Sequence, residues 1–146
     1  MNRRNELLLL DTGILIHLIR GNEVAQRVDA AFRIRHRTER PLISIVTIGE
    51  ALSLAVQFGW SATKRETLED LLRELVIVNI DTRAVAEKFA EFHAWTRSIG
   101  RALSHNDLWI AATAAAIDAH LVTTDGDFDV LSPDRIRRTL VAERSL

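Results

Sequence analysis

The chain has 146 residues, 47% apolar and 27% charged, the make-up of a globular protein that buries a core, which excludes a disordered tail. Its 19 basic and 20 acidic side chains leave a formal net charge of -1, so attraction of the whole molecule to nucleic acid or membrane cannot be assumed and any such contact must come from local patches. The absence of cysteine removes disulfides, thiolate metal sites and cysteine nucleophiles and, with no signal-like start, points to the cytoplasm.

Leu7–Leu10, an apolar run far too short to cross a bilayer, reads as a buried strand. A helix from about Gly13 to Ile19 follows, and past Gly21 a second from about Glu23 to Arg37. Leu42–Val46 is the next strand. Thr47–Phe58 then places Ile48, Ala51, Leu52 and Ala55 on one helical face, and Ala62–Leu75 repeats the pattern with Leu68, Leu71, Leu72 and Leu75. Val76–Ile80 is a third strand, and Thr82–Ser98 is a long helix with an inner face of Val85, Phe89, Phe92 and Ile99. Ser104–Ala119 is an alanine-rich helix able to lie close against a sheet. His120–Thr123 is the fourth strand, and Arg138–Ala142 a short fifth. Apolar strands alternating with helices predict one α/β domain over residues 1–146, with a central, mostly parallel sheet of four or five strands.

An acid stands at or just past the carboxyl end of four strands: Asp11, Glu50, Asp81 and Asp125. In open parallel sheets ligands bind at that edge. Asp107 belongs to the same edge, because the helix from Leu108 to Ala119 descends roughly 18 Å and His120 to Thr124 climb back roughly 16 Å. Asp107 and Asp125 should therefore meet. Each acid also has a local use. Asp11 and Asp81 suit helix N-caps, Thr47-x-x-Glu50 and Ser104-x-x-Asp107 suit capping boxes, and Asp125-Gly126 suits a turn. Taken together, like charges converging on one apolar-walled edge repel unless a cation sits among them, and an oxygen-only set suits Mg2+ or Mn2+.

Leu-Leu-Leu-Asp11-Thr12-Gly13, Thr47-Ile48-Gly49-Glu50-Ala51, Asn106-Asp107-Leu108-Trp109-Ile110-Ala111 and Thr123-Thr124-Asp125-Gly126-Asp127-Phe128 resemble, in order and spacing, the PIN-domain ribonucleases that serve as VapC-type toxins. The resemblance implies a three-layer α/β/α PIN-like fold and a Mg2+- or Mn2+-dependent endoribonuclease, the toxin of a type II toxin-antitoxin pair. It implies that Asp11, Glu50 and Asp107 are the core catalytic and metal-binding acids, with Asp125 the fourth, and that Thr12, Thr123 and Asp127 are auxiliary to the pocket. It also implies an RNA substrate, cleavage that leaves a 5′-phosphate, a cognate small antitoxin and a homodimer, with no membrane. In such proteins the third strand lies at a sheet edge, so Asp81 is expected to be a helix cap outside the site.

Phosphate contacts would fall to arginines, since only Lys64 and Lys88 of the basic residues are lysines. Arg27, Arg33, Arg35, Arg37 and Arg40 crowd one segment, which reads equally as an RNA contact or a solvated face. His105, near Asp107, reads as a surface or supporting group, and Trp60, Trp95 and Trp109 as packing. A calcium loop at Asp125 fails, because Val130 and Ile136 stand where glycine and glutamate are required. Two alternatives remain: a catalytically inactive PIN-like scaffold for RNA or protein, and a receiver-like signalling module, which here lacks paired acids after the first strand and a lysine after the last.

Overall fold

The computed structural model describes residues 6–143. Five short parallel strands form the sheet, in the order β3-β2-β1-β4-β5: β1 (Leu8–Leu10), β2 (Leu42–Ser44), β3 (Val76–Val78), β4 (His120–Thr123) and β5 (Arg137–Leu140). Helices α1 (Thr12–Arg20) and α2 (Glu23–Phe32) join β1 to β2, α3 (Ile45–Gln57) and α4 (Ala62–Arg73) join β2 to β3, and α5 (Arg83–Ser98) and α6 (His105–Ala116) join β3 to β4. A 3-10 helix, Gly126–Leu131, precedes β5.

Alternation along β1 feeds two cores. Leu8 and Leu10 pack with Ile14, Val28, Leu68 and Leu71 on one face, and Leu9 packs with Phe92, Leu108, Ile110 and Phe128 on the other. This is why β1 reads as an unbroken apolar run: a strand buried on both faces has no polar side to alternate with. β1 lies between β2 and β4, with Leu9 opposite Leu42 on one side and Leu121 on the other. The carboxyl end of β1 therefore opens between those of β2 and β4. In the receiver arrangement the first strand is flanked by the second and third, so this order excludes the receiver alternative.

Several boundaries differ from the sequence expectation, each for a local reason. α2 stops at Phe32 and not near Arg37, because Arg33 takes a left-handed conformation (φ 51) and closes the helix on Asp29. β2 ends at Ser44, whose hydroxyl accepts from Val46 N at 3.1 Å and caps α3, which starts at Ile45, two residues before Thr47. The Thr47-x-x-Glu50 capping box is therefore not formed, and Glu50 lies inside the helix. The cap of α5 is Thr82, which accepts from Val85 N at 3.3 Å, and not Asp81. The third strand is at the sheet edge as expected. Leu52 and Ile99, expected inside, are 43% and 44% exposed. Among the described residues no helix is long and apolar enough to cross a membrane.

The arginine-rich segment is a brace. Arg37 donates to the Phe32 carbonyl at 2.9 Å and to the Glu6 carbonyl, Arg27 donates to the Ala142 carbonyl, and Arg40 reaches the Arg73 carbonyl at 3.4 Å. Arg35 makes a loose, exposed pair with Glu74 at 3.9 Å. Arg37 and Arg27, both partly buried, thus fasten chain segments together and are not simply a solvated face, whereas Arg33, Arg35 and Arg40 are exposed. Truncating Arg37 to alanine should cost about 1–3 kcal/mol in urea unfolding, the worth of charged hydrogen bonds to carbonyls left without partners. Arg35→Ala should cost less than about 1 kcal/mol.

Candidate metal centre at the carboxyl edge of the sheet

Asp11 ends β1 and is 5% exposed. Its Oδ1 accepts from Thr12 N at 2.7 Å, capping α1, and its Oδ2 accepts from Thr123 Oγ1, at the end of β4, at 2.6 Å. A hydroxyl has one proton to give and lone pairs to receive with, so Thr123 Oγ1 also accepts from Asp125 N at 2.9 Å. One side chain thereby fixes the acids of two adjacent strands. Thr12 does the same on the other side, donating to Glu50 Oε1 at 2.8 Å. Thr47 Oγ1 lies 3.2 Å from Thr12 Oγ1, and with the Thr12 proton given to Glu50, the Thr47 proton completes the chain.

Asp107 sits half-buried in the first turn of α6, whose cap is Ser104, accepting from Asp107 N at 3.1 Å. Asp125 caps the 3-10 helix by accepting from Asp127 N at 2.8 Å. Asp107, Asp125 and Asp127 each offer a carboxylate oxygen within 4.8 Å of the others, which brings Asp107 and Asp125 together as the sequence geometry requires. Asp11, Glu50, Asp107 and Asp125 line one cleft of about 350 Å³. Asp127, exposed, lines the neighbouring groove with Arg101. Asp81 is in neither. Capping and clustering are compatible: Asp11 and Asp125 cap their helices, Asp107 sits in the first turn that Ser104 caps, and all three acids line the cleft, whereas Glu50 caps nothing and among the described residues is held by Thr12.

The charges strain one another. Burial raises the Asp11 carboxyl above its ordinary range against the Thr123 and Thr12 hydrogen bonds, and Glu50 and Asp125 add to the rise. Burial is also the first cause that pushes Asp107 up to about 6, followed by the charges of Asp11 and Asp125, with the Ser104 hydroxyl opposing. A hard divalent cation fits this donor set. All donors are oxygens, and opposite ligands of Mg2+ stand about 4.2 Å apart, close to the spread of the Asp107, Asp125 and Asp127 oxygens.

Two features were not expected from the sequence. Gly13 is a point of close approach, since a Cβ there would stand 2.6 Å from Thr124 Oγ1 and force that side chain to shift, and the Asp-Thr-Gly run is the available signal. Glu143 also lines the cleft and lies 4.0 Å from His17; nothing local in the sequence marks it. His105 packs edge-on against Phe89 and His93, at 5.8 and 5.5 Å between ring centroids. Trp109 stacks on Phe89 at 4.0 Å, Trp60 lies under Lys64, and Trp95 lies under Arg135, in line with the packing reading.

Comparison with known proteins follows the same lines. The family model described as PIN domain matches residues 8–132. Ribonuclease VapC1 of Haemophilus influenzae strain R2866 is 29% identical over 119 residues, covering 79% of this chain and 84% of the relative. The solved structure of VapBC2 from Rickettsia felis bound to a promoter DNA fragment superposes with a TM-score of 0.78 at 18% identity, over 92% of this chain and 98% of that one. A toxin-antitoxin complex from Klebsiella pneumoniae superposes with a TM-score of 0.66 at 25% identity, over 86% and 92% of the two chains.

The raised Asp107 carboxyl has a stability signature. Folded Asp107 holds its proton more tightly than the unfolded chain, so between the unfolded value of 3.8 and about 6 stability falls as the pH rises, and the loss persists above that window. In EDTA, Asp107→Asn should therefore be at least as stable as the wild type at pH 8, and this advantage should disappear below about pH 4. Urea midpoints at the two pH values measure it; a mutant destabilised at pH 8 and not below about pH 4 would leave Asp107 only its favourable charge at the helix N-terminus.

Proposed function

Because the chain belongs to the PIN-domain family, we propose that it is a divalent-metal-dependent endoribonuclease, the toxin of a toxin-antitoxin pair acting in the cytoplasm. The observation that carries this reading is the convergence of Asp11, Glu50, Asp107 and Asp125 on one cleft at the carboxyl edge of the sheet. Related proteins carry the names Ribonuclease VapC1 and toxin-antitoxin complex, which agree with it.

Asp11, Glu50, Asp107 and Asp125 would hold Mg2+ or Mn2+, with Asp127 positioned to share the load through Asp107 and Asp125. Once bound, the cation supplies a counter-charge for the phosphodiester and lowers the pKa of the attacking water. The remaining work belongs to the protein. Thr123 and Thr12 fix the Asp11 and Glu50 carboxylates before substrate arrives, so little reorganisation accompanies reaction. The apolar wall behind Asp11 keeps its charge poorly solvated and therefore strongly directed at what enters the cleft. Outside the cleft Arg101, exposed and on the groove shared with Asp127, is placed to meet substrate phosphate. A small antitoxin would silence the protein by covering the cleft and presenting a cation of its own to these acids.

The purified chain, freed of any partner, should cleave RNA with Mg2+ or Mn2+ and not with EDTA. Asp11→Asn and Asp107→Asn should each remove at least about a thousandfold in kcat/KM, since each deletes a ligand charge, while Asp81→Asn should be neutral. An RNA-binding wild type that cleaves nothing with either metal would instead establish the inactive scaffold. Millimolar Mg2+ should also raise the wild-type melting temperature, and Asp107→Asn should lose most of that increment.

A further inference from the structure

Beside the acidic cleft lies a second cleft of about 610 Å³ that shares Thr12 and Glu50 with it. Its chemistry is different. Apart from Glu50 on the shared border, no lining residue is charged. The walls are apolar, from Val46, Ile80 and Trp109, and the polar groups are the neutral amides of Gln57 and Asn106 and the hydroxyl of Ser53. Without a cation, and with Glu50 at its rim, this space disfavours phosphate. An aliphatic side chain would leave the amides without partners. A flat, uncharged group with an apolar face and a hydrogen-bonding edge satisfies both.

We propose that this cleft takes one unpaired nucleobase of the RNA, next to the scissile phosphate, with Gln57 and Asn106 reading its edge and Trp109 forming a fixed wall. The inference rests on the nuclease reading above. Trp109 is preset by its stacking on Phe89, 4.0 Å between centroids and 25° from parallel, so little order is lost when a base lands. Gln57 Nε2 donates to Ser53 Oγ at 2.8 Å, which orients the amide and leaves its carbonyl oxygen and second N–H for a ligand. Amide side chains match the paired donors and acceptors of base edges, and unpaired RNA is read by such edge contacts together with aromatic walls. Placement strengthens the case. Gln57 is on α3, which carries Glu50, and Asn106 directly precedes Asp107 on α6. The base-reading groups and the acids thus share two rigid helices, so a base seated here sets the position of the adjacent phosphate in the cleft.

The test uses the purified full chain with Mg2+ and short RNAs that are identical except for the bases flanking the cut. The wild type should favour particular bases at one flanking position. Gln57→Leu and Asn106→Leu should each reduce the ratio of kcat/KM between best and worst base by about tenfold. The Mg2+ concentration for half-maximal activity should not move, and neither should the melting temperature, since both side chains are exposed. A base preference untouched by both substitutions overturns the proposal, as does a wild type that cleaves with no base preference. So does a change confined to the molar mass in light scattering or to antitoxin binding, which would assign the cleft to a second copy or to a protein partner. A wild type that cleaves no RNA at all overturns the nuclease reading itself.

Discussion

Mutual repulsion among carboxylates governs this molecule. Bringing Asp11, Glu50, Asp107 and Asp125 to one cleft costs free energy in the absence of a cation, and the chain meets that cost with two threonine hydroxyls. Thr123 bridges Asp11 to the Asp125 loop and Thr12 clasps Glu50. Both bonds join residues distant in sequence, and each carboxylate so held accepts a charge-assisted hydrogen bond, stronger than one between neutral groups. The site is therefore a stressed arrangement kept in place by hydroxyl clamps and by the buried leucines behind it.

The fold supplies what the clamps need. Its strands are only three or four residues long, so the sheet is less a wall than a ring of short supports whose ends converge. α6 is buried along much of its length, with Leu108, Ile110, Ala111, Ala112, Thr113 and Ala114 all inside, and this burial fixes the height of Asp107 above the sheet. Arg37 fastens the N-terminal approach to β1, while Arg27 holds the C-terminal segment near Ala142. Basic side chains that resemble a nucleic-acid patch in one dimension are used here as cross-ties.

The sequence displayed the strand-helix alternation and the acids clearly, because a parallel sheet forces apolar strands and places strand-end residues on one edge. Even the approach of Asp107 to Asp125 followed from helix and strand rise. What remained hidden was decided by competition between similar local signals or by distant partners. Ser44 and Thr47 both suit a helix start, and the β2 register, Ser44 opposite Val78, selects Ser44. Asp81 and Thr82 compete in the same way for α5. Arg37 finds the Glu6 carbonyl and Arg27 the Ala142 carbonyl, partners that no local pattern names. Glu143 reaches the cleft because Val141 N bonds Thr123 O at 2.8 Å, extending the chain alongside the end of β4.

The position of β1 between β2 and β4 also sets the order in which the centre comes into being as the chain is made. Asp11 and Glu50 emerge early, but their counterparts Asp107 and Asp125, and the Thr123 that clasps Asp11, belong to the last third of the sequence. Until β4 slides in beside β1, half of the sheet's central seam is open and the cluster has half its charge. A growing chain thus carries no assembled centre until the segment that holds Asp107, Thr123 and Asp125 has been made and has docked.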